Sequence, residues 1–329
     1  MFRKTWKQLK ILIVVVIIIV CLPRSIFPNK ADNSKDEGIE FYTDLNDREH
    51  RLEQYKDSRA DLELKVAQLE IINRNRKKFN AQPVKLDILA SRVANRMSRE
   101  AAENEYTGHW NLAGEKPYHR YAFAGGFDHV NENAYGEWSS RDYNTGPEVI
   151  SGLMKSGHES FMKERAPNDG HKKNIIDKAH NFVGLGFCLK GGQFRYYEEF
   201  IDRYFEFENV PVELKPDEKG SINLKTDSRN FLYFMVVYYE KFPSPMAPKE
   251  ISRRGSYNDF TSEEYLKVPA WDLARYRNGN NYKIPVKFSK EGLYYIHLFI
   301  DKKEITKPGS LSTRDRTPYS GIVIRVKEG

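Results

Sequence analysis

Every long helical period in this chain lies before residue 164, and from Asn181 onward the apolar residues come in short, strand-like runs. Helices gathered early and strands gathered late predict an α+β fold. The segment LELKVAQLEIINRNRKKF places Leu62, Val66, Leu69 and Ile72 or Asn73 at three- and four-residue steps, an amphipathic helix ending near Asn80. After an AQP turn, Leu86-Asp87 opens a second helix, with Leu89, Val93 and Met97 four apart and Ala90 and Ala94 beside them. A third helix covers Pro147–Lys163, with Pro147 in its first turn. Asn181–Lys190 and Gln193–Phe207 then read as strands joined at Gly191-Gly192.

Beyond Glu208 the runs Phe231–Tyr239, Tyr282–Phe288, Leu293–Ile300 and Gly321–Val326 are aromatic and β-branched, separated by Pro, Gly and charged turns. This pattern predicts an all-β sandwich over residues 208–329. Pro243, Pro245 and Pro248 mark an edge or a loop within it.

At the other end, the apolar run Ile11–Leu22 follows Arg3, Lys4, Lys7 and Lys10. By itself it falls short of the ~20 residues needed to span a bilayer. Extended to residues 6–22, it reads as an uncleaved membrane anchor with its basic flank in the cytoplasm. A cleaved signal peptide is the alternative, although CLPRSIFPNK is a poor match to a small-residue cleavage site. Residues 1–28 are therefore an anchor or signal segment and residues 29–60 a polar stalk. The remainder faces the extracytoplasmic side, or is secreted if the segment is cleaved. A net charge of +7 comes with no Lys/Arg cluster interleaved with aromatics, so nucleic acid is not an expected partner. The two cysteines, Cys21 and Cys188, make no internal disulfide framework, and Cys188 reads as a small buried apolar residue.

Chemistry concentrates between the helices. Gly108–Gly136 and Gly170–Gly186, with His158 between them, hold six of the eight histidines and the pair Glu132-Asn133. Imidazole and carboxylate are the groups used for proton transfer or metal binding near neutral pH. His119, His129, His158 and His180 read as loop or surface residues, and Trp110 as a packing aromatic.

The order of these pieces resembles the CAP superfamily of cysteine-rich secretory, antigen 5 and pathogenesis-related proteins. The resemblance is carried by Asn73–Arg76, Leu86-Asp87 with Leu89–Ala94, His109, Glu132-Asn133, Gly170-His171 with Asn174-Ile175-Ile176, and Val183-Gly184-Leu185-Gly186. It covers about residues 62–207. It implies a three-layer α-β-α sandwich over residues 61–207, of the cysteine-poor branch, with two His and two acidic residues in one cleft. By motif His109 and His171 resemble the histidines, Glu132 the first carboxylate and Glu164 the second, with Glu159 as rival. Such a group could hold a divalent metal such as zinc through His109, His171 and Glu132, or merely rigidify the fold as a hydrogen-bonded network.

No residue is assigned a catalytic role: the chain has no nucleophile elbow, no H-E-x-x-H and no activated thiol in a motif context. A binding or scaffold role therefore ranks ahead of a hydrolase, with a purely structural ectodomain as a further alternative. Lipid, glycan or protein partners all stay open. Trp271–Pro285 and Asp301–Gly321 are polar, basic and aromatic, and read either as a partner surface or as charged strand edges. A fragment of residues 60–207 is expected to fold alone.

Overall fold

The computed structural model describes residues 38–257 and 263–328. Its first half contains α1 (Ile39–Arg48), α2 (Arg59–Lys78), β1 (Lys85–Leu86), α3 (Ile88–Glu103), α4 (Pro117–Phe123), β2 (His129–Trp138), α5 (Pro147–Met162), α6 (Gly170–Ile176), β3 (Phe182–Lys190) and β4 (Gln193–Asp202). The four strands form one sheet in the order β1-β3-β4-β2, so β2 lies at an edge. Helix starts follow local chemistry: Ser58 and Asp61 form a capping box on α2, and the Asp87 carboxylate accepts from Ala90 N–H on α3.

Strand alternation sorts side chains to the two faces of this sheet. Val183, Leu185, Phe194, Tyr196 and Phe200 pack against Leu62, Leu69, Ile72, Met154 and Phe161 of α2 and α5. The opposite face receives α3, and Gly184 and Gly186 let it approach closely, because a Cβ on either would run into Ala90 or Ala94. The V-G-x-G motif is thus a packing device. Helices cover both faces, which gives the three layers.

The second half contains β5 (Phe205–Asn209), β6 (Glu213–Leu214), β7 (Lys219–Thr226), β8 (Phe231–Glu240), α7 (Pro248–Arg254), β9 (Glu264–Pro269), α8 (Ala270–Leu273), β10 (Arg277–Asn278), β11 (Asn281–Lys287), β12 (Gly292–Asp301) and β13 (Ile322–Val326). Sheets ordered β10-β11-β7-β5 and β6-β13-β12-β8-β9 face one another. Ile222, Leu224 and Ile284 from the first meet Met235, Val237, Tyr294 and Ile324 from the second in one core. The outer face of β12 and its neighbour β13 is buried as well: Leu293, Tyr295 and Val323 join a cluster with Tyr118, Val130 and Ile201 of the first half. Tyr118 and Tyr295 stack with centroids 4.1 Å apart. Burial on both faces explains why β8 and β12 read as continuous apolar runs rather than alternating ones.

Two expectations change, and a third lies outside the described residues. Residues 29–37 of the expected stalk lie outside the described residues, but from Ile39 the chain is helical and docked rather than solvated. Tyr42 is buried, its hydroxyl accepts Leu86 N–H at 3.3 Å, and Arg92 donates to Asn46 O at 2.7 Å. The strand expected over Gln193–Phe207 breaks at Arg203-Tyr204, where the chain leaves one sheet and enters another as β5. The anchor segment lies outside the described residues, and among those described no helix is long and apolar enough to cross a membrane.

Candidate functional site

The two motif histidines meet around the free edge of β2. Glu132 and Asn133 are consecutive on that strand and point to opposite faces. The Glu132 carboxylate accepts from His109 Nδ1 at 2.8 Å, while Asn133 Nδ2 donates to the His171 carbonyl at 3.3 Å. The two imidazoles come within 6.3 Å, centroid to centroid. Glu164 backs His171: Oε1 accepts from His171 Nδ1 at 2.5 Å and Oε2 from the His171 backbone N–H at 3.0 Å. Its rival Glu159 lies instead on an exposed helix face beside Lys155 and Lys163. Each imidazole is therefore oriented by its own glutamate through Nδ1, and neither Nε2 makes a hydrogen bond among the described residues.

Burial sets the charges. His109 is 8% exposed, whereas the His171 side chain keeps 33% of its surface. Burial, with repulsion from His171 and Arg120, pulls His109 down to about 3, so it is neutral and keeps a lone pair. Glu132 forms a buried ion pair with Arg120 and lies directly across the strands from Glu199. Burial raises both acids, and the Glu132 charge pushes Glu199 well above the ordinary carboxylate range. With one guanidinium between two carboxyls, Glu132 is the carboxylate and Glu199 holds the proton. Arg120 also donates to the His109 carbonyl at 2.6 Å, tying α4 to the site.

A wall of the site comes from the second half. After β8 the chain returns across the first half, where Met246 N–H donates to Leu112 O at 2.9 Å. Ile251 sits in a cluster with Trp110 and Tyr197, and Arg254 lies 5.0 Å over the Trp110 ring. Gly108 has no room for a side chain, since a Cβ would lie 2.9 Å from Ile251 Cγ2. Tyr257 then reaches His109, and its hydroxyl accepts the Glu132 N–H at 3.0 Å.

Arg120, Glu199 and Tyr257 are site residues that the sequence reading missed. The Glu198-Glu199 pair inside the apolar strand QFRYYEEFID was the available signal, because buried charges are paired. Tyr257 had none, since it is remote in sequence. The other four histidines are not on the surface. His119, His129, His158 and His180 are all at most 2% exposed. Three of them belong to one hydrogen-bonded ladder: His158–Glu198 2.7 Å, Glu198–Asn133 3.0 Å, Asn133–Asn174 2.9 Å, Asn174–His180 2.9 Å, His180–Asp202 2.6 Å and Asp202–His129 2.8 Å. Buried polar groups require such partners, and this ladder accounts for the asparagines of both motifs. Trp110 packs as expected.

Among the described residues no three His, Cys, Asp or Glu side chains are grouped so as to hold a metal ion. The expected set His109, His171 and Glu132 fails as three ligands because Glu132 is consumed by His109 Nδ1 and Arg120. Two imidazole Nε2 atoms are what the site offers. In the second half, Trp271 and Arg275 meet Thr306 and Pro308 around a recess of about 260 Å³, so the two segments singled out by composition do adjoin.

An α-β-α sandwich with two glutamate-backed histidines at its sheet edge defines a class, and a family model names it. Residues 69–201 match the model of CAP, the cysteine-rich secretory protein family, and form a CAP domain. Among solved structures the chain is similar to an outer surface protein from Borrelia burgdorferi, at 19% identity over 43% of this chain and 93% of that one, with a TM-score of 0.35. It is also similar to an extracellular protein containing an SCP domain from Bacillus anthracis str. Ames, at 19% identity over 42% of this chain and 39% of that one, with a TM-score of 0.32. No curated protein matches.

Proposed function

We propose that this is an exported, membrane-tethered binding protein whose CAP cleft takes a small ligand between His109 and His171. The observation that carries the reading is the pair of imidazoles 6.3 Å apart, each held through Nδ1 by its own carboxylate. That arrangement leaves the Nε2 atoms of both rings without a hydrogen-bond partner among the described residues, available to a ligand. They suit a ligand that donates two hydrogen bonds, or a divalent ion whose remaining positions are filled by water or by the ligand itself. Zinc sites ordinarily take three or four protein ligands, so a resident structural zinc is disfavoured. Export and tethering rest on the cations Arg3, Lys4, Lys7 and Lys10 ahead of the apolar run. Cys188 gives a hydrolase no support, because burial pushes its thiol up, away from the reactive thiolate.

Calorimetry of the full chain with Zn²⁺ at pH 7.5 tests the cleft. One weak site, lost in both His109→Ala and His171→Ala while the melting temperature changes little, is the expected result. An absent wild-type signal, with large melting losses in both variants, would assign the cluster to fold stability. Protease shaving of intact cells tests the topology, which is rejected if residues 60–329 are spared.

A further inference from the structure

A cavity of about 630 Å³ lies away from the histidines, where α1, the start of α3 and β5 meet. That is within the usual size of small-molecule sites, ~300–1,000 Å³. Its walls are aromatic and aliphatic, including Phe41, Leu45, Phe127, Phe205 and Phe207. Its floor is a buried polar cluster. Arg203 donates through Nε to Asp128 Oδ2 at 2.9 Å and through Nη2 to Asp87 Oδ2 at 2.6 Å, and Tyr121 OH donates to the same Asp128 oxygen at 3.2 Å. The guanidinium also lies 4.4 Å over the Phe182 ring, which fixes its plane.

Two positions of that floor are left over. Among the described residues Arg203 Nη1 donates to no protein acceptor and Asp128 Oδ1 accepts from no protein donor, and neither is sealed from solvent. The cavity therefore offers one donor and one acceptor beneath aromatic walls. Four basic and four acidic side chains line it, so it carries no net charge to select an ion.

We infer that this cavity is a second ligand site, distinct from the histidine cleft, for a flat aromatic molecule with a neutral head group that both donates and accepts a hydrogen bond. Aromatic walls favour offset or edge-on contact with a flat ring. A hydroxyl or carboxamide fits the leftover pair without uncovering a charge, whereas an anion or cation would meet its like among the balanced side chains. Phe41, which is 42% exposed at the mouth, is an apolar contact of the kind a ligand would cover.

The test is titration of the full chain with 2-naphthol, naphthalene-2-sulfonate and 2-naphthylmethylammonium. One-site saturation by 2-naphthol is expected, with both charged probes at least tenfold weaker. Leu45→Trp, which fills the mouth, should weaken 2-naphthol at least tenfold, and His109→Ala should leave it unchanged. If Leu45→Trp lowers the melting temperature, Phe41→Ser at the exposed rim takes its place, with a severalfold loss expected. The inference is overturned by absent saturation, by rim variants that bind as the wild type does, or by loss of binding in His109→Ala. Charged probes that bind as tightly as 2-naphthol would overturn the head-group assignment.

Discussion

Tyr257 lies over His109 with ring centroids 4.8 Å apart, although the two residues belong to different halves of the chain. β2 is an edge strand, so the Glu132 N–H points away from the sheet, and the Tyr257 hydroxyl accepts it. A connection within the β sandwich thereby completes the cleft of the CAP domain. Tyr257→Phe keeps the ring but leaves that N–H without its partner, at a cost of about 1 kcal/mol in chemical denaturation. Tyr257→Ala opens the wall, and diethyl pyrocarbonate should then modify His109 severalfold faster while the rate at His171 holds. An unchanged His109 rate would show that Tyr257 does not limit access.

Glu132 and Glu199 should respond differently to the same substitution. Glu199 already holds a proton, so Glu199→Gln replaces one neutral group by another and should cost less than about 1 kcal/mol. Glu132→Gln strips Arg120 of its carboxylate and leaves a buried charge unpaired, at about 3–5 kcal/mol. The pH profile adds a signature. The folded value of Glu199 lies above its ordinary 4.5, so its stabilising contribution is complete below 4.5 and is lost as pH rises through the folded value. Glu199→Gln should remove that decline. Equal losses in the two variants would refute the placement of the proton.

His109 predicts the opposite slope on the acid side. Its folded value is near 3 against an ordinary 6.5, so the unfolded chain takes up a proton that the folded chain refuses. Stability is complete above 6.5 and falls as pH drops from 6.5 toward 3. His109→Gln should flatten this limb of a denaturation-versus-pH curve. A profile identical to that of the wild type would mean that His109 titrates normally.

Gly184 and Gly186 hold α3 against the sheet without clearance. Gly184→Ala and Gly186→Ala should each destabilise by at least about 1–3 kcal/mol, the usual cost of overpacking. Urea denaturation measures this, and a neutral result at both positions would show that α3 can shift outward.

A fragment of residues 61–207 lacks two surfaces that its core uses. It loses α1 with buried Tyr42, and it exposes Tyr118, Val130 and Ile201 where β12 and β13 had covered them. The shared core argues against independent folding. The fragment should melt broadly and bind hydrophobic dyes, whereas residues 38–328 should melt cooperatively. A sharp melt of the fragment near that of the longer chain would restore independence.

The elements were legible in the sequence because their causes are local. Apolar steps of three and four marked α2 and α3, Asp87 capped α3, and Gly191-Gly192 turned β3 into β4. The motif residues His109, Glu132, Glu164 and His171 were legible for the same reason: each belongs to a short pattern. Four histidines were misread as surface residues because imidazole is polar by type. Only the tertiary structure supplied Glu198 and Asp202 as partners, making burial tolerable for His158, His129 and His180. α1 was misread as a stalk because its charges are visible in sequence, while the surface that receives Tyr42 is not. Contacts such as Tyr257 with His109, Tyr118 with Tyr295 and Arg203 with Asp87 join residues far apart along the chain. Sequence periodicity reports which face of an element is apolar, not which distant face it meets. The pattern of residues therefore determined the elements and the candidate ligands, and long-range packing decided the wall, the proton on Glu199 and the second cavity.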